Sequence, residues 1–157
     1  GASNLGILMT QIAGSWGAEV FATVGGAEKA ALMQSLGVTP IDHRIAPFPG
    51  QLMQHTRDQG VDVIIDTLGG PQLETHLRLL RPGGRLVTLA MLEGSAVGPF
   101  KMTRLLLNHL SWTGTTLRSK THQQKAYIME MVGRRIWPKL ADGSIKPVID
   151  SVFPLFF

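Results

Sequence analysis

Residues 60–90 read GVDVIIDTLGGPQLETHLRLLRPGGRLVTLA, and this stretch decides the fold class. Val61–Asp66 is a short run rich in β-branched residues, which predicts a buried strand at the centre of a sheet. Leu73–Leu80 has the apolar spacing of a helix, and Arg85–Ala90 predicts a second strand after the turn at Pro82-Gly83-Gly84. A strand, a helix and another strand in this order indicate a right-handed crossover between parallel strands.

The same alternation continues on both sides of this unit. Towards the N-terminus we predict helices at Leu5–Trp16 and Ala27–Leu36, each ended by a glycine, with a strand at Glu19–Val24 between them. The remaining predicted elements are strands at Pro40–Asp42 and Ser111–Leu117, helices at Gln51–Asp58, Phe100–Leu110 and Gln123–Leu140, and an extended piece at Lys146–Ile149. We therefore expect a doubly wound α/β fold, a parallel Rossmann-type sheet with helices on both faces, forming one domain over residues 1–157.

The chain opens inside a glycine-containing turn, Gly1-Ala2-Ser3-Asn4-Leu5-Gly6. In a doubly wound fold this turn follows a strand in the middle of the sheet, and no residue precedes Gly1. A sheet without that strand would leave unpaired backbone groups, each costing about 1 to 3 kcal/mol when buried. We expect the sequence to be a fragment of a longer chain that supplies the first strand.

Composition excludes several functional classes. The chain is 44% hydrophobic and 17% charged, as soluble domains are, and no apolar run is long enough to cross a membrane. It has no cysteine, which excludes disulfides and thiolate chemistry and makes the cytoplasm the default location. The net charge is +4, but the basic residues are scattered, so nucleic-acid binding stays only as an alternative. The histidines are too dispersed for a metal site.

Two segments favour a dinucleotide. The turn at Gly1–Gly6 opens a helix, and the amides and dipole of a helix N-terminus suit a pyrophosphate. The next strand ends Thr23-Val24-Gly25-Gly26, without the carboxylate that NAD-specific folds use to bind the ribose. Lys29 and the pair His43-Arg44 offer positive charge to a 2′-phosphate, whereas Glu28 could turn towards the ribose and argues for NADH. We predict NADPH, with NADH as the alternative.

A longer series of motifs resembles one known family. The series comprises GASNLG (1–6), TVGGAEK (23–29), DHR (42–44), GVDVIID (60–66) and RPGGRLV (81–87). It resembles the zinc-independent quinone oxidoreductase branch of the medium-chain dehydrogenase/reductase superfamily, which includes zeta-crystallin. GTTLR (114–118), IWP (136–138), IKPVID (145–150) and VFPL (152–155) resemble its stress-inducible subgroup. Serine and asparagine stand at positions 3 and 4 where the family usually has glycine, and the ending Leu155-Phe156-Phe157 departs from its pattern.

The resemblance implies hydride transfer from NADPH to a quinone or another α,β-unsaturated carbonyl, in a cleft between this domain and a separate GroES-like domain. The isolated fragment is therefore expected to be inactive. The implied cofactor contacts are Ser3, Asn4, Leu5 and Gly6 for the pyrophosphate, Thr23, Gly25, Lys29 and His43 for the adenosine 2′-phosphate side, and Leu68, Gly69, Ala90, Met91 and Leu92 for the nicotinamide end. We assign no catalytic residue and no metal ligand, and we interpret Asp66 as a structural hydrogen-bond acceptor.

Two other readings stay open. The domain could belong to an NADP-dependent zinc-type alcohol dehydrogenase or an enoyl reductase, whose distinguishing residues would lie outside this sequence. It could also be a non-catalytic NADPH- or RNA-binding protein. The predicted strand near 111–117 would lie at a sheet edge that pairs with a second subunit in relatives of the family, so we expect a homodimer.

Overall fold

The computed structural model describes residues 1–155 and consists of five strands and seven α-helices, with a 3₁₀ turn at Gly70–Gln72 before the fourth helix. The strands are β1 (Phe21–Val24), β2 (Thr39–Asp42), β3 (Val61–Asp66), β4 (Leu80–Thr88) and β5 (Ser111–Gly114). The helices are α1 (Asn4–Ser15), α2 (Ala27–Ser35), α3 (Phe48–His55), α4 (Leu73–Leu79), α5 (Thr103–Leu107), α6 (His122–Arg135) and α7 (Trp137–Ala141). None of them, within residues 1–155, is long and apolar enough to span a membrane.

The chain divides into two compact units, of which the first comprises Gly1–Ala46 and the described part of Ala126–Phe157. In it β1 and β2 pair in parallel, from Phe21 opposite Thr39 to Val24 opposite Asp42. Helix α2 is the crossover between these two strands. The apolar core of this unit is formed by Ile7, Ala22, Val24, Met33 and Val38.

The second unit, Pro47–Lys125, contains a parallel three-stranded sheet in the order β3-β4-β5. Helices α4 and α5 connect its strands, as the pattern of residues 60–90 predicts. The core of this unit is formed by Leu73, Leu77, Leu80, Leu86 and Leu110. Parallel strands joined through helices confirm the predicted α/β class.

Two predictions about the strands need correction. The middle position of the three-stranded sheet belongs to β4 and not to β3, and Val63 and Ile65 of β3 are half exposed. Pro82-Gly83-Gly84 does not precede the strand but forms an irregularity within β4, between the pairs Val61–Leu80 and Val63–Arg85. Gly83 has a φ of 78°, a conformation that a glycine adopts without strain, so the strand continues past the turn signal.

One prediction for the C-terminal third is also wrong. The single helix over Gln123–Leu140 is two helices, because Pro138 lacks the amide that a continuous helix requires and instead lies in the first turn of α7. Lys146–Ile149, predicted as an extended piece, contains neither helix nor strand. The backbone of Lys146 is bound by the side chain of Gln11, whose Oε1 accepts from the Lys146 amide at 2.8 Å and whose Nε2 donates to the Lys146 carbonyl at 3.0 Å.

Candidate functional site

The opening turn lies against the end of β1. The Gly1 nitrogen donates to the carbonyl of Thr23, so the segment predicted to bind the pyrophosphate and the segment predicted at the adenosine 2′-phosphate are neighbours in the first unit. Gly6 lies where the turn meets α1, and a Cβ added there would be 2.0 Å from the Gly1 carbonyl oxygen. Only glycine allows the turn and the helix to approach this closely.

Ser3 caps α1. Its backbone is extended, its Oγ accepts from the Gly6 amide at 3.2 Å, and its carbonyl accepts from the Ile7 amide at 2.8 Å. Among residues 1–155 no acceptor is bonded to the amides of Asn4 and Leu5, which belong to the group that an α-helix leaves unpaired at its start. The turn can therefore present two backbone donors and the positive end of the helix dipole to an anion.

The side chains of His43 and Arg44 cover Gly25 and Gly26 at the end of β1. A Cβ on Gly25 would lie 3.0 Å from His43 Nε2 and 3.1 Å from Arg44 Nε, so both side chains cover the glycine pair. The pKa of the Gly1 amino group is lowered chiefly by burial and further by the positive charge of Lys29. The first unit thus gathers the predicted residues Lys29 and His43, together with Arg44, at one strand end.

Asp42 was not recognised in the sequence as part of this arrangement. Its buried carboxylate accepts from the Gly26 amide at 3.1 and 3.2 Å and from the Arg44 amide at 2.9 Å. The Arg44 amide bond lowers the pKa of Asp42 most, burial opposes it, and the Gly26 amide and the charges of His43 and Arg44 add to the lowering. Asp42 thereby fixes Gly26 relative to Arg44. The signal was an aspartate that closes a strand, since such residues commonly accept amides in the following turn.

In the second unit, the loops after β3 and β4 are joined through their backbones. Leu92 donates to Thr67 at 3.1 Å, Glu93 to Leu68 at 2.8 Å, and Gly70 to Gly94 at 3.0 Å. This pairing brings together the residues expected at the nicotinamide end. Leu68 and Gly69 come from one loop, and Ala90, Met91 and Leu92 come from the other.

Glycine is required where these loops touch, and apolar side chains are presented to solvent beside it. A Cβ on Gly69 would lie 2.5 Å from the Gly94 carbonyl oxygen and 2.8 Å from the Met91 Cα. Met91 is 54% exposed and Leu92 is 78% exposed. Apolar side chains held on a rigid loop pair can cover the face of a flat ring.

The carboxylate of Asp66, at the end of β3, stabilises the loop that follows this strand. Its buried carboxylate accepts from the Leu68 amide at 2.8 Å and from the Gly69 amide at 3.2 and 3.4 Å. Thr88 Oγ1 lies 3.5 Å from Asp66 Oδ2, and the buried His76 Nδ1 lies 3.7 Å from Asp66 Oδ1. The interpretation of Asp66 as a structural acceptor agrees with these contacts.

Burial of His76 makes the stability of the second unit dependent on pH. Burial lowers the pKa of His76, and the charges of Asp66 and Glu93 oppose that lowering. The unfolded chain therefore binds a proton on His76 more readily than the folded chain does. The contribution of neutral, buried His76 to the free energy of unfolding is fully retained above the ordinary titration range of histidine. It falls as the pH drops through that range, by at most about 1.4 kcal/mol per pH unit for one proton.

Denaturant unfolding over a series of pH values measures this slope. His76→Gln is expected to remove it, whereas His122→Gln, at an exposed position of α6, should leave it unchanged. An equal slope in the wild type and His76→Gln would show that other groups cause the acid sensitivity.

Comparison with known proteins places the chain in a family. Residues 5–133 match the family model described as zinc-binding dehydrogenase, which covers most of the chain. The chain belongs to this family. The medium-chain dehydrogenase/reductase resemblance is thereby confirmed at the level of the superfamily.

Among relatives, the chain is 33% identical over 161 residues to a highly reducing polyketide synthase of Emericella nidulans and 31% identical over 157 residues to the quinone oxidoreductase of Rattus norvegicus. Each alignment covers 99% of this chain, but only 6% of the synthase and 46% of the oxidoreductase. The chain therefore spans less than half of either relative. The sequence similarity does not separate the two types of relative.

Solved structures confirm the Rossmann-like architecture. The Escherichia coli quinone oxidoreductase complexed with NADPH has a TM-score of 0.78 at 24% identity, covering 95% of this chain and 45% of that one. The nucleotide-binding subdomain of the enoylreductase domain of PpsC from Mycobacterium tuberculosis has a TM-score of 0.75 at 26% identity, covering 90% of this chain and 79% of that one.

The residues of this chain do not fit the zinc ion in the family's description. Among residues 1–155 there is no group of three or more histidine, cysteine, aspartate or glutamate side chains that could hold a metal ion.

Proposed function

We propose that the chain is the cofactor-binding part of an oxidoreductase that transfers a hydride from NADPH to a conjugated carbonyl acceptor. The observation that carries this proposal is the position of the glycine turn, whose first residue is bonded to Thr23 at the end of β1. A helix start therefore lies beside a strand end that His43 and Arg44 cover, and the charge of Lys29 acts on the Gly1 nitrogen.

NADPH fits these residues better than NADH. The free amides of Asn4 and Leu5 suit the pyrophosphate, and the close approach of Gly1 to Gly6 keeps side-chain atoms away from it. The missing side chains at Gly25 and Gly26 let His43 and Arg44 approach the end of β1, and the Asp42 carboxylate is engaged by two backbone amides. A 2′-phosphate would meet charge-assisted donors here. The NADPH-bound quinone oxidoreductase of similar fold supports the same cofactor.

The acceptor is a quinone or an enone, in agreement with the resemblance to quinone oxidoreductases. The similarity to a polyketide synthase and to an enoylreductase subdomain favours an enoyl acceptor as the second candidate. In both cases bound NADPH supplies a hydride, and this chain positions the ring and excludes water. Leu68, Gly69, Ala90, Met91 and Leu92 are proposed to contact the nicotinamide. A homodimer through β5, whose four residues are exposed at the sheet edge, remains a prediction.

Reversing the charge at Lys29 tests the cofactor assignment. Lys29→Glu is expected to weaken NADPH binding by about 1 to 3 kcal/mol while leaving NADH binding nearly unchanged, because only NADPH carries the 2′-phosphate. Fluorescence titration of the wild type and the variant with both cofactors measures the difference. Lys125→Glu, on α6, makes the same change in net charge and controls for long-range electrostatics.

Two results of this titration would contradict the cofactor assignment. Equal losses for NADPH and NADH in Lys29→Glu would refute the 2′-phosphate contact. A wild-type chain that binds neither cofactor would refute the proposed function itself.

A further inference from the structure

A cleft of about 480 Å³ lies beyond the carboxyl ends of β4 and β5 in the second unit. One wall is the apolar segment Leu89–Met91, which contains two of the residues expected at the nicotinamide end. The other wall carries the hydroxyl-bearing residues Thr115, Thr116 and Ser119. Lys120 completes this wall and is the cation among the lining residues.

The loop that carries Lys120 is held in place by hydrogen bonds. The Thr115 amide donates to the Thr88 carbonyl at 3.1 Å, which ties the start of the loop to the end of β4. The Arg118 amide donates to Thr116 Oγ1 at 3.3 Å, and the Lys120 amide donates to the Leu117 carbonyl at 3.3 Å. These bonds fold the loop back on itself and place Lys120 at the cleft.

The ammonium of Lys120 forms no ion pair with a carboxylate among residues 1–155. The side chain is nevertheless partly buried, as are those of Lys125 and Lys139, whereas Lys29, Lys101 and Lys146 are exposed. A partly desolvated cation beside an apolar wall attracts an oxygen that carries, or acquires, negative charge. The lining therefore fits a mainly apolar molecule with one such oxygen.

We propose that this cleft is this domain's part of the acceptor site and that Lys120 is a catalytic residue facing the carbonyl oxygen of the conjugated substrate. The inference rests on the proposed function and adds a residue of this chain to the chemistry. Sequence reasoning assigned no catalytic residue, because a lysine in a polar loop carries no distinguishing pattern.

The proposed hydride transfer requires NADPH, the acceptor, Lys120 and water. Hydride transfer breaks a C4–H bond of the dihydronicotinamide, forms a C–H bond at the carbon β to the acceptor carbonyl, and leaves the oxidised, cationic nicotinamide. The π electrons of the acceptor move onto the carbonyl oxygen, whose charge the Lys120 ammonium stabilises. A Lys120 N–H bond then breaks as an O–H bond forms, and water returns a proton to the amine.

The test uses 4-nitrophenol as a probe, because its anion is a stable mimic of the oxygen on which charge develops. The chain, saturated with NADP⁺, is titrated with the probe while the absorbance of the anion is followed. Lys120→Gln is expected to weaken binding of the anion by about tenfold and to reduce the ionised fraction of bound probe. Lys120→Arg should retain most of the binding, because it keeps the charge.

NADPH affinity measured in parallel separates the possible failures. Lys120→Gln should bind NADPH as the wild type does, and Lys101→Gln should leave both ligands unaffected. Unchanged probe binding in Lys120→Gln, or a wild type that binds NADPH but no probe, would overturn the acceptor site while leaving the cofactor site intact. Loss of NADPH affinity in Lys120→Gln would assign the lysine to the cofactor instead. A wild type that binds no NADPH refutes the proposed function.

Discussion

Alanine at Gly6 is expected to weaken NADPH binding by at least about tenfold and to destabilise the first unit by about 2 to 3 kcal/mol, the cost of forcing an extra methyl group into packed surroundings. The added Cβ would lie 2.0 Å from the Gly1 carbonyl oxygen and 2.8 Å from its carbonyl carbon, and these backbone atoms cannot rotate away. The turn would have to shift from the end of β1, where Gly1 is bonded to Thr23. Thermal unfolding and NADPH titration measure the two effects.

Gly14 provides a matched control in the same helix. A Cβ at Gly14 has no atom within 4 Å, so Gly14→Ala should leave NADPH binding unchanged. It should stabilise the protein by about 0.5 to 1 kcal/mol, because alanine is the better helix former. If Gly6→Ala bound NADPH as tightly as Gly14→Ala, the turn would not be the phosphate site.

The units of secondary structure were predictable because their signals are local. The alternation of β-branched runs and helical spacing placed every strand of the structure, and glycine ended α1 and α2 where Gly17 and Gly37 have positive φ. The helix near the C-terminus was predicted too long because its apolar periodicity continues past Pro138. Periodicity reports which face is apolar, but it does not report a missing amide.

Strand order and long-range polar contacts were not available from the sequence. The apolar character of Val61–Asp66 suggested a central strand, but the middle of the described three-stranded sheet is β4. Gln11 looked like an ordinary polar residue on a helix, yet it binds the backbone of Lys146 across 135 residues. No local pattern encodes such a partner, because pairing is decided by how the chain packs.

The same difference between local sequence signals and long-range packing applies to the candidate site. Glycines and charges near Thr23 could be read from the sequence because a turn and a helix start have recognisable residues. Asp66 could be interpreted as a structural acceptor from its place at the end of a strand, whereas the role of Asp42 depends on the direction in which its side chain points. Lys120 could not be assigned from the sequence, because the cleft beside it is formed by two loops that are distant in sequence.

Removing the carboxylate of Asp66 is expected to destabilise the second unit by about 2 to 4 kcal/mol, because buried donors lose their acceptor. Asp66→Ala would leave the amides of Leu68 and Gly69 unpaired in a buried site, and it would take the neighbouring carboxylate from His76. Asp66→Asn keeps one acceptor oxygen and the side-chain shape, so its loss should be smaller. Denaturant unfolding gives the free energies.

Asp62 lies on the same strand and provides the control. Its carboxylate is 72% exposed and 3.2 Å from Arg81 Nη1, and an exposed pair of this kind contributes at most about 1 kcal/mol. Asp62→Ala should therefore have little effect. Amide hydrogen exchange should show faster exchange at Leu68 and Gly69 in Asp66→Ala alone, because their hydrogen bonds depend on that side chain. Similar losses of stability in the two alanine variants would mean that the charge of the strand, and not the acceptor at its end, holds the loop.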